Sequence, residues 1–259
     1  MALDRLYRIE RRGVAQYAVE RDAMLYELSG EPFGRYSAGA EIAGGLGAAG
    51  LRLLAPVSPS KIVCVGLNYK DHAAETGKPL PAEPLLFIKP STAVIGPGQA
   101  IRIPPGVGRV DYEAELGLVV SRRAHRVPRA QAWDYILGMI AVNDVTARDL
   151  QKKETQFTRC KGFDTFAPIG PCVAAGLKDV APTVESHLNG ERRQSSSTSQ
   201  LIFPIDMLVE YITFVMTLEP GDIIATGTPA GIGPMKAGDT ITVSVEGVGE
   251  LTNPVEAER

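Results

Sequence analysis

The 259-residue chain is 44% hydrophobic and 22% charged with a formal net charge of -3, which excludes a disordered chain and gives no basic patch for nucleic acid. No apolar run approaches membrane-span length and the opening MALDRLYRIERR lacks a signal-peptide core, so a cytosolic globular protein without a membrane partner is expected. Three cysteines, Cys64, Cys160 and Cys172, lack paired spacing, and three histidines, His72, His125 and His187, are too few and too scattered for a multi-histidine metal site.

Residues 1–55 read as a small β-rich preamble, with strands predicted over 14–19 and 24–28 and a loose connector in AEIAGGLGAAG. No chemistry is evident there, and a structural or dimer-supporting module is expected. The stretch APVSPS opens the main domain, 56–259, and 61–65 follows as a buried-type strand. In GLNYKDHAAETGKP, Asp71 is placed to cap a short helix ended by Gly77 and Pro79, which sets His72 and Glu75 on one face. A carboxylate beside an imidazole fixes its tautomer and raises its basicity, as a general base requires. The same pair also suits a plain surface contact. Gly66, Gly77, Pro79, Pro81 and Pro84 flank the helix as in a lid that folds over a site.

Residues 85–95 are strand-like, interrupted by Lys89, which marks either an edge or an anionic neighbour. RVDYEAELGLVVS, 109–121, alternates as a half-buried strand: Tyr112, Ala114, Leu116, Leu118 and Val120 on one face, Asp111, Glu113, Glu115 and Gly117 on the other. Glu113 and Glu115 can converge on one hard cation, Mg²⁺, Mn²⁺ or Ca²⁺, or can simply be solvated. A helix over 128–136 and a buried strand over 137–144 come next, with Asp144 at the exit, where it either reaches a shared metal or caps the helix of VTARDLQKKE. Arg148 and Gln151 lie three apart on that helix. Residues 154–171 read as an ordered site loop rather than a helix, within which Lys161 suits stabilisation of an oxyanion. Asn189-Gly190 signals a hairpin between 183–188 and 192–196. Over 204–218, Ile205, Leu208, Val209, Ile212, Val215 and Met216 recur at helical spacing as a core stripe. After a strand at 223–225, the glycine-rich TGTPAGIGPMKAGD lacks the phosphate-loop lysine, and its amides with Thr228 suit a carboxylate. Strands at 241–245 and 250–255 close the chain.

Taken together, GLNYKDHAAE, FIKPSTAVIGP, YEAELGLVV, NDVTARDLQ, KGFDTFAPIGP and TGTPAGIG resemble, in order, the motifs of the fumarylacetoacetate hydrolase family over roughly residues 60–255. The preamble looks like the N-terminal extension of bacterial isomerase/decarboxylase members. The resemblance implies a β-rich α+β fold, a mixed β-roll or sandwich with peripheral helices, in a homodimer. It implies one Mg²⁺ or Mn²⁺ on Glu113, Glu115 and Asp144, a base dyad of His72 and Glu75 on a lid, and Lys161 stabilising an enolate. Arg148, Gln151 and Thr228 match positions near a small 2-oxo-carboxylate substrate, and Lys89 is assigned there too. The activity implied is a metal-dependent isomerase or decarboxylase of the 2-hydroxyhepta-2,4-diene-1,7-dioate or oxaloacetate type, with acylpyruvate C–C hydrolysis as the alternative and a non-catalytic binding relative as a third reading.

Overall fold

The computed structural model describes residues 3–75, 77, 79–178 and 180–258, and among these the strands collect into three sheets. The largest runs in the order Tyr36–Glu41, Met24–Gly30, Val14–Arg21, Asp4–Arg11, Ala167–Ala175, Ile136–Asn143, Ala114–Val120, Ile223–Ala225, Lys61–Gly66 and Leu85–Pro90. A second sheet, ordered Glu191–Ser197, Thr183–Leu188, Thr240–Val245, Gly249–Ala257 and Ile101–Ile103, packs on its middle through Leu116, Leu118, Val184, Val243, Val245 and Leu251. Most pairs are antiparallel, but Ile223–Ala225 lies parallel to Lys61–Gly66 and Gly249–Ala257 parallel to Ile101–Ile103, so the sandwich is mixed and β-rich with short helices around it.

The preamble holds more strand than expected. Asp4–Arg11, Tyr36–Glu41 and Leu51–Leu53 join the two predicted strands, and the Arg12-Gly13 and Asp22-Ala23 turns carry the positive φ angles of tight hairpins. The first strand pairs with Ala167–Ala175, placing Leu6 opposite Val173, so hydrogen bonding continues across the boundary expected near residue 55.

The acidic stretch departs from its expected form in two ways. It is split: Val110–Tyr112 belongs to a three-stranded sheet with Thr146–Ala147 and Gly233–Met235, whereas Ala114–Val120 belongs to the largest sheet. Glu113 lies at the crossing. Nor is the stretch half-buried, because Leu116, Leu118 and Val120 join the core under the second sheet while Val119 packs with Ile62, Ile140, Ile169 and Ile223 on the opposite face. The alternation is real, but the acidic side faces an interior cleft rather than water.

Other boundaries moved for local reasons. The helix expected over 128–136 is a 3₁₀ segment, Arg129–Tyr135, and the loop expected over 154–171 contains a helical turn, Thr158–Lys161, and the start of a strand. The helix after Asp144 begins at Arg148 with Ala147 as its cap, because Thr146–Ala147 first pairs with Val110–Tyr112; Asp144 is therefore no cap. The apolar helix is Ile205–Val215 with Ile205, Leu208, Val209 and Ile212 buried, but Val215, expected in the core stripe, is 55% exposed because the helix ends there.

Candidate active site

Glu113, Glu115 and Asp144 meet. Each offers one carboxylate oxygen, and these oxygens lie within 4.8 Å of one another with all three side chains buried. Register brings this about: Ala114 pairs with Asn143 and Glu115 with Val142, so the exit of one strand lies beside the acidic face of its neighbour. The crossing at Glu113 is pinned by its N–H donating to Asn143 Oδ1 at 3.0 Å and its carbonyl accepting from Asp144 N at 2.9 Å.

Three cations answer these acids. Lys161 Nζ lies 2.8 Å from Glu113 Oε2 and 2.5 Å from Asp144 Oδ2, Lys89 Nζ lies 2.6 Å from Asp144 Oδ1, and Arg148 donates to Glu113 Oε1 at 2.5 Å. Arg148 also pairs with Asp111 at 2.9 Å, which is fully enclosed and gripped by Arg109 at 2.6 Å. Asp111 thus shares the acidic side of the strand yet serves two arginines rather than the carboxylate triad.

The two glutamates consequently differ. Burial would push Glu113 up, but Lys161 and Arg148 outweigh it and hold the carboxyl below its usual range. Glu115 has no such guanidinium; burial first, then Asp144 and Glu113, push its carboxyl well above the usual range, and Lys161 and the Gly227 N–H at 2.9 Å only partly counter them. Burial would draw the Lys161 ammonium down, but Asp144 and Glu113 raise it, so it stays charged. An all-oxygen set with one under-compensated carboxylate suits a hard divalent cation, and offers neither the imidazole nor the thiolate that would favour zinc.

Above this floor, the helix Lys70–Glu75 carries His72, whose Nδ1 lies 3.0 Å from Glu75 Oε2. The other Glu75 oxygen accepts from the Gly231 N–H at 3.0 Å, tying this helix to the glycine-rich loop. Gly231 has φ +97°, and a Cβ there would lie 2.2 Å from the Arg193 carbonyl, so that loop position requires glycine.

One cleft is lined by His72, Glu113, Glu115, Asp144, Arg148, Gln151, Lys161 and Thr228, with Leu85, Phe87 and Phe157 as an apolar wall. Glu75 does not line it and meets it through His72. Of the residues assigned to substrate, Lys89 lies outside this lining, while Thr228 and Gln151 are part of it and also bonded within the protein. Lys89 is fully enclosed and bonds Asp144 and the Val145 carbonyl from behind, because its strand turns that side chain inward. Thr228 lines the cleft, but its hydroxyl donates to the Ala114 carbonyl at 2.9 Å. Gln151 Oε1 likewise accepts from Arg148 at 2.5 Å.

Gln194 escaped sequence reasoning. Fully buried, it accepts from Ala114 N and Ser186 Oγ and donates to Thr228 Oγ1 and the Pro229 carbonyl, which clamps the glycine-rich loop to the acidic strand. Within ERRQSSS nothing marks it as interior, since neighbouring positions are polar and face water.

A mixed β-sandwich with a buried carboxylate triad in a cleft that His72 also lines fits an enzyme of carbonyl and carboxylate chemistry. Residues 61–256 match the family described as fumarylacetoacetate (FAA) hydrolase C-terminal, and the chain belongs to that family of enzymes. A solved 2-hydroxyhepta-2,4-diene-1,7-dioate isomerase from Mycobacterium marinum is 41% identical, covers 98% of this chain and 99% of its own, and superposes with a TM-score of 0.89. The mitochondrial oxaloacetate tautomerase fahd2 of Xenopus laevis is 37% identical over 220 residues, 79% of this chain and 68% of that one. A fumarylpyruvate hydrolase from Pseudomonas aeruginosa, solved with Mn²⁺ and pyruvate, is 32% identical with a TM-score of 0.74, covering 80% of this chain and 92% of that one.

Proposed function

We propose that the protein is a divalent-metal-dependent isomerase or tautomerase of small 2-oxo and 2-hydroxydienoic carboxylates, working through a stabilised enolate. The observation that carries this reading is the convergence of three buried acids within 4.8 Å beneath His72. Glu113, Glu115 and Asp144 would hold Mg²⁺ or Mn²⁺, which when bound supplies Lewis acidity toward the substrate's carbonyl. The Mn²⁺ and pyruvate in the fumarylpyruvate hydrolase support both the ion and the substrate class.

The chain's own residues account for the proton and the charge. Glu75 accepts from Nδ1–H of His72, which leaves Nε2 to take a proton from the carbon beside the substrate's carbonyl and return it elsewhere. Lys161, kept cationic inside the cleft, stabilises the negative charge that develops on oxygen. The apolar side chains of Leu85, Phe87 and Phe157 on one wall lower the local polarity and favour both interactions.

A second reading, C–C bond hydrolysis of acylpyruvates, is favoured by the dyad itself, since an imidazole oriented by a carboxylate also activates water. Decarboxylation of oxaloacetate proceeds through the same enolate. We further infer a cytosolic homodimer. No described helix is long and apolar enough to cross a membrane, and the exposed Leu85, Ile88 and Val215, which line one open cavity along the edge strand Leu85–Pro90, support a second copy there.

The test is chelator-stripped protein offered oxaloacetate, acylpyruvates and 2-hydroxydienedioates with and without Mg²⁺ or Mn²⁺, followed by ultraviolet absorbance. Metal-dependent loss of the enol or dienol band without acid release supports isomerisation, and cleavage products support the hydrolase. Turnover that survives chelation, or that His72→Ala leaves unchanged, refutes the site as described.

A further inference from the structure

Asp144 is held by two lysines of different standing. Lys89 grips Oδ1 at 2.6 Å from the interior and does not line the cleft. Lys161 reaches the same carboxylate from the cleft side, at 2.5 Å from Oδ2, and bridges to Glu113 Oε2 at 2.8 Å. The Lys161 ammonium therefore sits on oxygens of two of the three acids that a divalent ion would grip. An ammonium on those oxygens competes with a divalent cation for their lone pairs, and at contact distance the two positive charges repel.

The balance of charge points the same way. Asp111, Glu113, Glu115 and Asp144 face Arg109, Arg148, Lys89 and Lys161, so the fully ionised cluster is neutral without any metal. A divalent ion adds two positive charges to a set already in balance. Of the two lysines on Asp144, Lys161 is the one on the cleft side: it ends the one-turn helix Thr158–Lys161, lines the cleft, and its Nζ lies 5.0 Å from the Phe87 ring centroid, a second seat for the ammonium. Arg148 is fixed by Glu113, Asp111 and Gln151 together.

We infer that Lys161 is the resident counter-ion of this site, displaced from Glu113 and Asp144 when a divalent cation binds, so that its charge sets metal affinity apart from any contact with substrate. The inference rests on the divalent-cation reading above. It assigns Lys161 two successive duties: holding the acids together before the ion arrives, then, released from them, facing the substrate's oxygen.

The experiment is calorimetric titration of Mn²⁺ into chelator-stripped, full-length protein with no substrate present. Lys161→Met removes the competing charge and leaves Glu113 with Arg148 alone and Asp144 with Lys89 alone, so Mn²⁺ is expected to bind at least about tenfold more tightly than to the wild type. Lys161→Arg keeps the charge and adds a fork that grips carboxylates in pairs, so Mn²⁺ is expected to bind more weakly. Equal or weaker binding to Lys161→Met overturns the inference. Should that variant fail to fold, unchanged or tighter binding to Lys161→Arg overturns it as well. Wild-type protein that takes up no Mn²⁺ at all overturns both this inference and the metal reading beneath it, a result distinct from intact wild-type binding with insensitive variants.

Discussion

Replacing Glu115 by glutamine is expected to stabilise the metal-free protein while destroying its metal affinity. The side chain is 2% exposed, and among the described contacts its carboxylate accepts from the Gly227 N–H at 2.9 Å with no cation bonded to it. Two like charges face it with ligand oxygens within 4.8 Å, a repulsion of about 3.5 kcal/mol per ionised pair at an effective dielectric constant of about 20. Lys161 and the glycine amide return part of this, which leaves a net gain of about 1 to 3 kcal/mol for the neutral isostere. At roughly 2 to 4 °C per kcal/mol for a domain near this size, the melting temperature rises by roughly 2 to 12 °C. The gain also has a pH signature. Because burial, Asp144 and Glu113 raise the folded carboxyl above its usual range, the unfolded chain gives up this proton first, and wild-type stability falls as pH climbs from the usual carboxyl range through the raised value. Below that window the carboxyl is protonated in both states and the cost disappears, so the melting curves of wild type and Glu115→Gln converge in acid. Differential scanning calorimetry of stripped protein from about pH 4 to 8 measures this. A variant less stable than wild type at neutral pH, or a gain that stays constant into acid, would refute the reasoning.

Asp144→Asn should act with the opposite sign: it leaves Lys89, fully enclosed, without a counter-charge and with only neutral acceptors such as the Val145 carbonyl, and costs about 3 to 5 kcal/mol in urea unfolding of stripped protein, whereas an unchanged midpoint would show that neutral acceptors suffice. Gln194→Ala removes four hydrogen bonds, one to the acidic strand, one to Ser186 and two to the glycine-rich loop, so hydrogen exchange at residues 227–231 should quicken and turnover fall although no group facing substrate has changed; unaltered protection would remove Gln194 from the clamp. Gly231→Ala should cost more than about 1 kcal/mol, because φ is +97° and the new Cβ meets the Arg193 carbonyl at 2.2 Å; a melting temperature equal to wild type would show that the loop yields.

Much of the site was readable in the chain because its chemistry is local. ExE on an alternating strand, HxxE on a short helix and an aspartate at a strand exit are spacings of a few residues, and strand and helix periodicity convert them directly into shared faces. The hairpin at Asn189-Gly190 was legible for the same reason: both residues adopt positive φ, at 53° and 82°, which that turn demands. Pairings set by distant segments were not. Lys89 reads from its own run as marking an edge or an anionic neighbour, and only the approach of Asp144, 55 positions away, decides for the neighbour and makes it an internal counter-ion. The single strand expected at 109–121 divides between two sheets because Thr146–Ala147 and Gly233–Met235 capture its first half, a competition invisible in its alternation. Gln194 lies in a wet, polar strand and goes inward only because Ala114 and the loop after Thr228 present unpaired backbone groups to it.

The sequence by itself determined which residue types stand on which face, since that follows from backbone period, and hence that acids, a histidine pair and a lysine were available in family order. Tertiary structure decided which charges meet: buried carboxylates and ammonium groups stay only where each finds its counterpart, and those counterparts come from strands and loops that adjoin only once the sheets have closed.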